Sequence, residues 1–148
     1  MWCEQKTALM GGTSGALYDI FFSAAAAAVT TEAKATADVS SWSLALEAGV
    51  AAMMKYGGAK RGDRTMLDAL LPASEALRLA ILNDGGDIGR VCEAVETAAT
   101  AGAAETCVMT AGAGRSSYVP VDVLKTVPDP GATAAATWMR AVAASLRS

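Results

Sequence analysis

The sequence predicts one all-α domain over residues 1–148, on the strength of its length and its composition. A chain of 148 residues is about the size of one ordinary domain. Hydrophobic residues make up 53% of the chain but aromatic residues only 5%, so small and aliphatic side chains have to build the core. Alanine, the strongest helix former, occupies 34 positions. This mixture argues against a β-sandwich or β-barrel, which needs β-branched and aromatic strands at short regular spacing.

The charge balance and the missing histidines exclude several classes of function. The chain has 12 basic and 15 acidic residues and no basic stripe, so binding to a nucleic acid through its phosphates is not predicted. Histidine is absent, which excludes a zinc site with histidine ligands and a Ser-His-Asp triad. Cys3, Cys92 and Cys107 show no metal-like spacing. We therefore expect free thiols and no metal site among these residues.

Neither the first residues nor the hydropathy pattern predicts export or a membrane partner. Residues 1–10 lack the basic region and apolar run of a signal peptide. The longest apolar stretch, residues 20–29, has ten residues, whereas a membrane-spanning helix needs roughly 20. We expect a cytoplasmic chain.

Two helices are predicted in the first part of the chain. Strong helix formers follow the loop-type residues 11–15 and continue to about residue 37. The five alanines at residues 24–28 favour a helix buried among its neighbours, with low-complexity filler as the alternative. Residues 38–41 then predict the N-cap region of a second helix, which ends at Tyr56 before two glycines. Its predicted core face carries Trp42, Leu46, Val50, Met53 and Met54.

Asp63 is the predicted N-cap of a third helix, which carries several leucines at helical spacing. Pro72 predicts a kink or a broken start within that helix. A fourth helix is expected from about residue 88 to residue 109, with Gly102 as a weak point. A loop rich in glycine and serine, a helical turn over residues 121–126 and a last helix up to residue 146 complete the chain.

The candidate binding and catalytic residues lie in four loops, at residues 11–15, 57–64, 112–117 and 129–131. These loops come before a predicted helix start or turn, and a helix N-terminus with its unpaired N–H groups and positive dipole end suits a phosphate. Glycine lets the backbone approach an anion closely. In an antiparallel bundle, loops at one end could meet around one ligand.

Each loop also has an ordinary structural interpretation. The glycine-rich residues 11–15 do not form a Walker A loop, because no Gly-Lys-Ser/Thr follows at the required spacing. The basic residues of the second loop are either a solvated charge cluster or a phosphate clamp: Lys60, Arg61 and Arg64. Arg115 suits a phosphate partner or a helix cap, and Asp129 before Pro-Gly suits a turn.

Together and in this order, five motifs resemble one known family. They are MGGTSGALY at residues 10–18, YG at 56–57, GDRTMLD at 62–68, GRSSY at 114–118 and DPGA at 129–132. They are similar to the L domain, the C-terminal nucleotide-binding domain, of the dihydroxyacetone (glycerone) kinases, and the resemblance spans essentially the whole chain. It implies an antiparallel barrel of about eight helices that holds ATP or ADP at one end.

The resemblance also implies roles for individual residues. Thr13 and Ser14, within the loop that contains Gly11 and Gly12, would contact the phosphates. Arg115 would act as the catalytic cation that balances phosphate charge. Met66 would face the adenine. The residues that would line or close the nucleotide site are Gly57, Thr65, Met66, Asp129, Pro130 and Gly131.

One motif of the family has no counterpart in this sequence. In the family, a Gly-Asp-Gly-Asp type segment precedes the glycine-rich loop, and its aspartates hold Mg²⁺. Only ten residues precede Gly11 and none is aspartate, so we expect an N-terminally truncated L domain whose Mg²⁺ ligands lie in the missing segment. Phosphoryl transfer relies on that metal. The family's K domain binds dihydroxyacetone through a histidine, so this chain would also need a K domain from another chain or segment.

Two hypotheses of function follow. In the first, the chain is the nucleotide-binding part of an ATP-dependent dihydroxyacetone kinase. In a variant of this hypothesis, the phosphoryl donor is a protein phosphocarrier and ADP is a fixed cofactor. In the second, it is a non-catalytic L-like module that binds nucleotide or a protein. The physiological acceptor and the oligomeric state, a homo-oligomer included, stay open.

Overall fold

The computed structural model describes residues 11–31, 38–84 and 87–148, and these residues form helices and loops without a strand. The prediction of an all-α protein is therefore confirmed. The helices are α1 (Gly12–Thr31), α2 (Val39–Gly57), α3 (Leu67–Asp84), α4 (Ile88–Glu105), α5 (Val121–Leu124) and α6 (Pro130–Arg147), with 3₁₀ turns at Thr106–Val108 and Arg115–Tyr118. The chain divides into two compact units, Met1–Gly58 and Ala59–Ser148. The assignment of one L-type domain stays a prediction.

In the first unit, α1 and α2 pack against each other in opposite directions. The buried ring of Phe21 lies over Gly49, where an added Cβ would come within 2.7 Å of the ring. Leu17, one turn before Phe21 in α1, lies against Gly57, which is two turns after Gly49 in α2. The buried alanine run predicted for residues 24–28 is wrong, because all five alanines are half-buried or exposed. An alanine run has no apolar stripe that would indicate which side of the helix is covered.

Local signals at both ends of α2 are confirmed. The Asp38 carboxylate accepts hydrogen bonds from the backbone N–H and the hydroxyl of Ser41, both at 2.8 Å. At the other end Gly58 adopts a left-handed φ of 74° and donates its N–H to the carbonyl of Met54. A side chain with a Cβ rarely adopts this conformation.

The predicted core face of α2 is correct in its middle and wrong at its start. Leu46, Val50 and Met53 are buried, but Trp42 is 54% exposed and Met54 only half-buried. Helical periodicity places these five residues near one face. It does not say how far along the axis a neighbouring helix covers that face.

The second unit is built from α3, α4 and α6, with α4 packed against both of the others and α6 also touching α3. Its core consists of small and aliphatic side chains, as the composition predicted. Several alanines in it are completely buried, which lets the helices approach closely: Ala69, Ala73, Ala99, Ala132 and Ala135.

The start of α3 differs from the prediction. Asp63 is not the N-cap; its carboxylate instead accepts the N–H of Lys60. The Thr65 hydroxyl accepts the N–H of Leu67, and the Asp68 carboxylate accepts the N–H of Thr65. This reciprocal pair is a capping box. From Leu67 the helix continues through Pro72, so its start is not broken at the proline.

Gly102 is a point of close helix packing rather than a weak point. The residue is buried in α4, and a Cβ added there would overlap the carbonyl oxygen of Asp68 and touch Pro72 in α3. The missing side chain therefore lets the two helices pack at this distance. The fourth helix is also shorter than predicted, because it changes to a 3₁₀ turn after Glu105.

None of the helices in the described ranges has the length and apolar character that a membrane crossing requires. Cys92 is buried and Cys107 half-buried, and both are free thiols. Burial raises the pKa of the Cys92 thiol. Cys3 lies outside the described residues.

Replacing Gly102 by alanine tests the close approach of α3 and α4. The new methyl group meets backbone rather than a side chain that could move aside, so we expect Gly102→Ala to destabilise the protein by about 1–3 kcal/mol. Urea denaturation measures the change. Thr100→Ala, on the exposed side of the same helix, is the control and should stay within about 0.5 kcal/mol of the parent. Equal midpoints for the two variants would contradict the packing argument.

The cap at Asp38 predicts a pH dependence. Hydrogen bonds from the backbone and hydroxyl of Ser41 lower the pKa of this carboxyl. A lowered pKa in the folded state means that the stabilisation is present above the unfolded-state pKa, near 4, and is lost as the pH falls through the folded-state pKa. We expect Asp38→Asn to be less stable than the parent at pH 7, with the difference shrinking in acid. A difference that is constant from pH 7 to pH 2 would exclude the ionised cap.

Candidate functional site

In the first unit, the predicted phosphate loop and Gly57 lie at the same end of the helix pair. Thr13 and Ser14 are in the first turn of α1, and Leu17 follows in the next turn. Because Leu17 lies against Gly57, the last residue of α2, the N-terminus of α1 and the C-terminus of α2 are neighbours. The structure therefore brings these predicted residues together.

The first turn of α1 is exposed in the part of the chain that the structure describes. Gly12 has a φ of 73°, and among the described residues, chain neighbours apart, no atom lies within 4 Å of the position of an added Cβ at Gly11 or Gly12. The side chains of Thr13 and Ser14 are exposed. The first turn of a 20-residue helix supplies N–H groups without helical partners and the positive end of the helix dipole.

In the second unit, the loop before α3 is held by two aspartates. The buried carboxylate of Asp68 accepts the N–H groups of Gly62 and Thr65. The carbonyl of Asp63 accepts the N–H of Gly112 at 3.0 Å. The loop that contains Thr65 is therefore tied both to α3 and to the later glycine-rich loop.

Arg64 occupies the centre of these loops and is 1% exposed. Its backbone has a φ of 60°, in the left-handed region, which is uncommon for a residue other than glycine. Its guanidinium lies between four later segments of the chain. Nε donates to the carbonyl of Thr106 (3.1 Å), Nη1 to the hydroxyl of Ser116 (3.1 Å), and Nη2 to the carbonyls of Leu124 (3.0 Å) and Val127 (2.7 Å), while Nη1 lies 3.6 Å from Asp129 Oδ1.

Asp129 is 6% exposed, and both oxygens of its carboxylate accept hydrogen bonds within the protein. Oδ2 caps α6 by accepting the N–H of Ala132, and Oδ1 accepts the hydroxyl of Ser116. The backbone N–H of Asp129 donates to the hydroxyl of Thr106 at 2.7 Å. Asp129 thus fixes the backbone that leads into Pro130 and does not offer a free carboxylate.

The two predicted nucleotide segments of this unit are neighbours. A Cβ added at Gly131 would lie 3.6 Å from the backbone nitrogen and the Cβ of Met66. Met66 itself is buried, so most of its side chain belongs to the core. Thr65 and Met66 therefore lie beside residues 129–131.

Arg115 is a predicted site residue whose side chain has no partner among the described residues. It begins a 3₁₀ turn after Gly114, which has a φ of 71°, and it is exposed. Its side chain makes no hydrogen bond or ion pair with any residue that the structure describes. The next residue, Ser116, is bonded to both Arg64 and Asp129, so an anchored turn presents an unpaired cation.

The profile of the DAK2 domain family matches residues 4–144 of the sequence. The chain belongs to the DAK2 domain family. Its relatives include a Solanum lycopersicum protein named, provisionally, as a 3,4-dihydroxy-2-butanone kinase (51% identity), the Homo sapiens triokinase/FMN cyclase (46%) and the dihydroxyacetone kinase of Citrobacter freundii (41%). The matches cover 94%, 94% and 96% of this chain. The chain spans 23% of the length of each of these curated relatives.

Solved structures show the same relationship. The native crystal structure of the C. freundii dihydroxyacetone kinase matches with a TM-score of 0.67 at 37% identity and covers 97% of this chain, which spans 22% of that protein. A second structure of that kinase, in complex with AMP-PNP and Mg²⁺, matches with a TM-score of 0.64 at 35% identity over the same shares. The prediction of an L domain of the dihydroxyacetone kinase family is confirmed, and the roles of individual residues stay predictions.

Sequence reasoning about this DAK2 domain missed the buried network around Arg64. The loop cations were interpreted as a solvated cluster or a phosphate clamp. Lys60 and Arg61 are exposed, and Arg61 pairs with Glu75 at 2.8 Å, whereas Arg64 fits neither interpretation. Thr65 and Asp68 have the spacing of a capping box, which is a usable local signal. Thr106 carries no such signal.

The Thr106 hydroxyl gives a test of this network in the DAK2 domain. It donates to the carbonyl of Ala103 and accepts the buried N–H of Asp129, so Thr106→Val leaves that N–H without a partner. We expect a loss of about 1–3 kcal/mol, measured by urea denaturation. Thr137→Val removes an exposed hydroxyl that donates to a helix carbonyl and should cost much less. Similar losses in both variants would contradict a special role for Thr106.

Proposed function

We propose that this chain is the nucleotide-binding part of an ATP-dependent glycerone (dihydroxyacetone) kinase that acts in the cytoplasm. The acceptor is dihydroxyacetone, held by a K domain on another chain or segment. The observation that carries this proposal is the exposed first turn of α1, with two glycines and two exposed hydroxyls, in a chain of the DAK2 family. A related kinase has been solved with AMP-PNP and Mg²⁺, which supports a nucleotide as the ligand.

The first unit supplies contacts to the phosphates. The backbone N–H groups at the start of α1 and the hydroxyls of Thr13 and Ser14 donate to phosphate oxygens. Gly11 and Gly12 allow the phosphates to approach without a Cβ in the way. Gly57, at the same end of the helix pair, lines the nucleotide.

The remaining proposed roles fall on residues of the second unit and are those that the family resemblance implies. Thr65 and Met66 line the nucleotide, and residues 129–131 close the site. Because the Asp129 carboxylate is already bonded within the protein, this segment closes the site through its backbone position. Arg115 is exposed and unpaired within the described chain, and its guanidinium balances the charge on the phosphates.

The metal belongs to a different part of the kinase in this proposal. Within the described ranges, no three cysteine, aspartate or glutamate side chains come together in a group that could hold a metal ion. We propose that the Mg²⁺ ligands come from a Gly-Asp-Gly-Asp type segment of the family, a motif that these 148 residues do not contain. When bound, the metal would neutralise phosphate charge. A protein phosphocarrier as donor, with ADP as fixed cofactor, is compatible with the same residues.

A thermal melt with and without AMP-PNP and Mg²⁺ tests the proposal. A ligand that binds only the folded state stabilises it by about 2.7 kcal/mol at a concentration one hundred times its Kd. We expect the melting temperature of the parent chain to rise with the nucleotide. The double variant Thr13→Ala/Ser14→Ala should lose most of this rise, because the hydroxyl donors to the phosphates are gone.

The matched control is Ser23→Ala/Thr30→Ala, which removes two exposed hydroxyls from the same helix but away from its N-terminus. It should keep the full rise. An equal rise in both double variants would refute the assignment of Thr13 and Ser14. No rise in the parent chain would refute nucleotide binding and favour a non-catalytic module that binds a protein.

A further inference from the structure

We infer that Arg64 is a positioning residue for the nucleotide site: its buried guanidinium holds residues 129–131 and the turn that carries Arg115 in place against Thr65 and Met66. This inference rests on the proposed function. It concerns a residue that is itself almost completely buried and therefore cannot act through contact with a ligand.

The reach of the guanidinium supports this role. Its hydrogen-bond acceptors belong to the 3₁₀ turn after α4, to the Ser116 turn, to the last residue of α5 and to the segment between α5 and α6, between 42 and 63 residues away in sequence. These segments include little regular secondary structure apart from short helical turns. Arg64 supplies a common donor group for all of them, and its planar fork fixes their relative distances.

The position of Arg64 in the sequence supports it as well. Arg64 immediately precedes Thr65 and Met66, so the same peptide segment carries the buried guanidinium and the residues proposed to line the nucleotide. On the other side, the guanidinium lies 3.6 Å from Asp129, which caps α6 and leads into Pro130 and Gly131. One side chain thus spans both proposed nucleotide segments of the second unit.

The link to Arg115 passes through a single hydroxyl. Ser116 accepts a hydrogen bond from Arg64 Nη1 and donates one to Asp129 Oδ1. Its neighbour Arg115 is exposed. Loss of the Arg64 donor therefore releases one of the bonds that orient the turn presenting Arg115.

Lysine is the informative replacement at this position. It keeps the positive charge beside Asp129 but has a compact ammonium in place of the planar fork. It cannot reach all of the acceptors of Arg64 at once. Arg64→Lys therefore separates the effect of the guanidinium's hydrogen-bond geometry from the effect of its charge.

The experiment measures the Kd for AMP-PNP with Mg²⁺ by calorimetry, at a temperature where every variant is folded, and amide hydrogen exchange in the absence of nucleotide. In Arg64→Lys we expect faster exchange in residues 106–131 and a Kd weakened about tenfold, which corresponds to about 1.4 kcal/mol of binding free energy. Leu77→Ala truncates a buried side chain of α3 away from these loops. It should lower the melting temperature and leave the Kd unchanged.

The outcomes are distinct. If the parent chain binds the nucleotide and Arg64→Lys binds it equally well, or if Leu77→Ala weakens binding as much, the positioning role is wrong while the proposed function stands. If the parent chain does not bind, both are wrong. If Arg64→Lys does not fold, Ser116→Ala decides the matter: it removes one bonded hydroxyl, and an unchanged Kd in that variant overturns the inference.

Discussion

The loops of the second unit are arranged around the buried guanidinium of Arg64. Without enough hydrogen-bond acceptors, this buried cation would make the unit unstable. Removing a guanidinium from water is costly unless its N–H groups are bonded and its charge is balanced. Here three backbone carbonyls, a serine hydroxyl and the Asp129 carboxylate meet those needs. Without these bonds, few interactions would stabilise one conformation of the loops that provide the carbonyls, since short turns bury little apolar surface. The cation and the loops therefore depend on each other.

The helices beneath this network provide its rigid support. α3 and α4 approach closely where Gly102 faces the carbonyl of Asp68, and the carboxylate of the same aspartate holds the loop that contains Gly62 and Thr65. The backbone of Asp68 is thus part of the helix packing, while its side chain is part of the loop structure. This connection transmits the geometry of the helix pair to the residues next to Arg64.

The sequence predicted the features that depend on nearby residues and failed where distant ones decide. The cap at Asp38 and the stop at Gly58 were predicted correctly because both use groups within four residues. The N-cap of α3 was misplaced by two residues because Asp63 and Thr65 have similar capping chemistry. The burial of Arg64 could not be inferred, since its acceptors begin 42 residues later. For the five-alanine run, composition indicated a helix but gave no direction for its buried face. The motifs of the candidate site were found because residues such as Gly131 and Met66, which lie together in space, also stand in motifs of one family.

The sequence separation between Arg64 and its acceptors has a consequence for how the second unit forms. When the ribosome has just made α3 and α4, the guanidinium has no carbonyls or carboxylate to bond, because residues 106–129 do not yet exist. The charge stays in water until the chain has been synthesised to the start of α6. Contacts of such long separation form late, since the loop between them has to close first. The docking of α6 therefore acts as the closing step of the unit, and the loops beside Thr65 reach their final arrangement only when the start of α6 has been made.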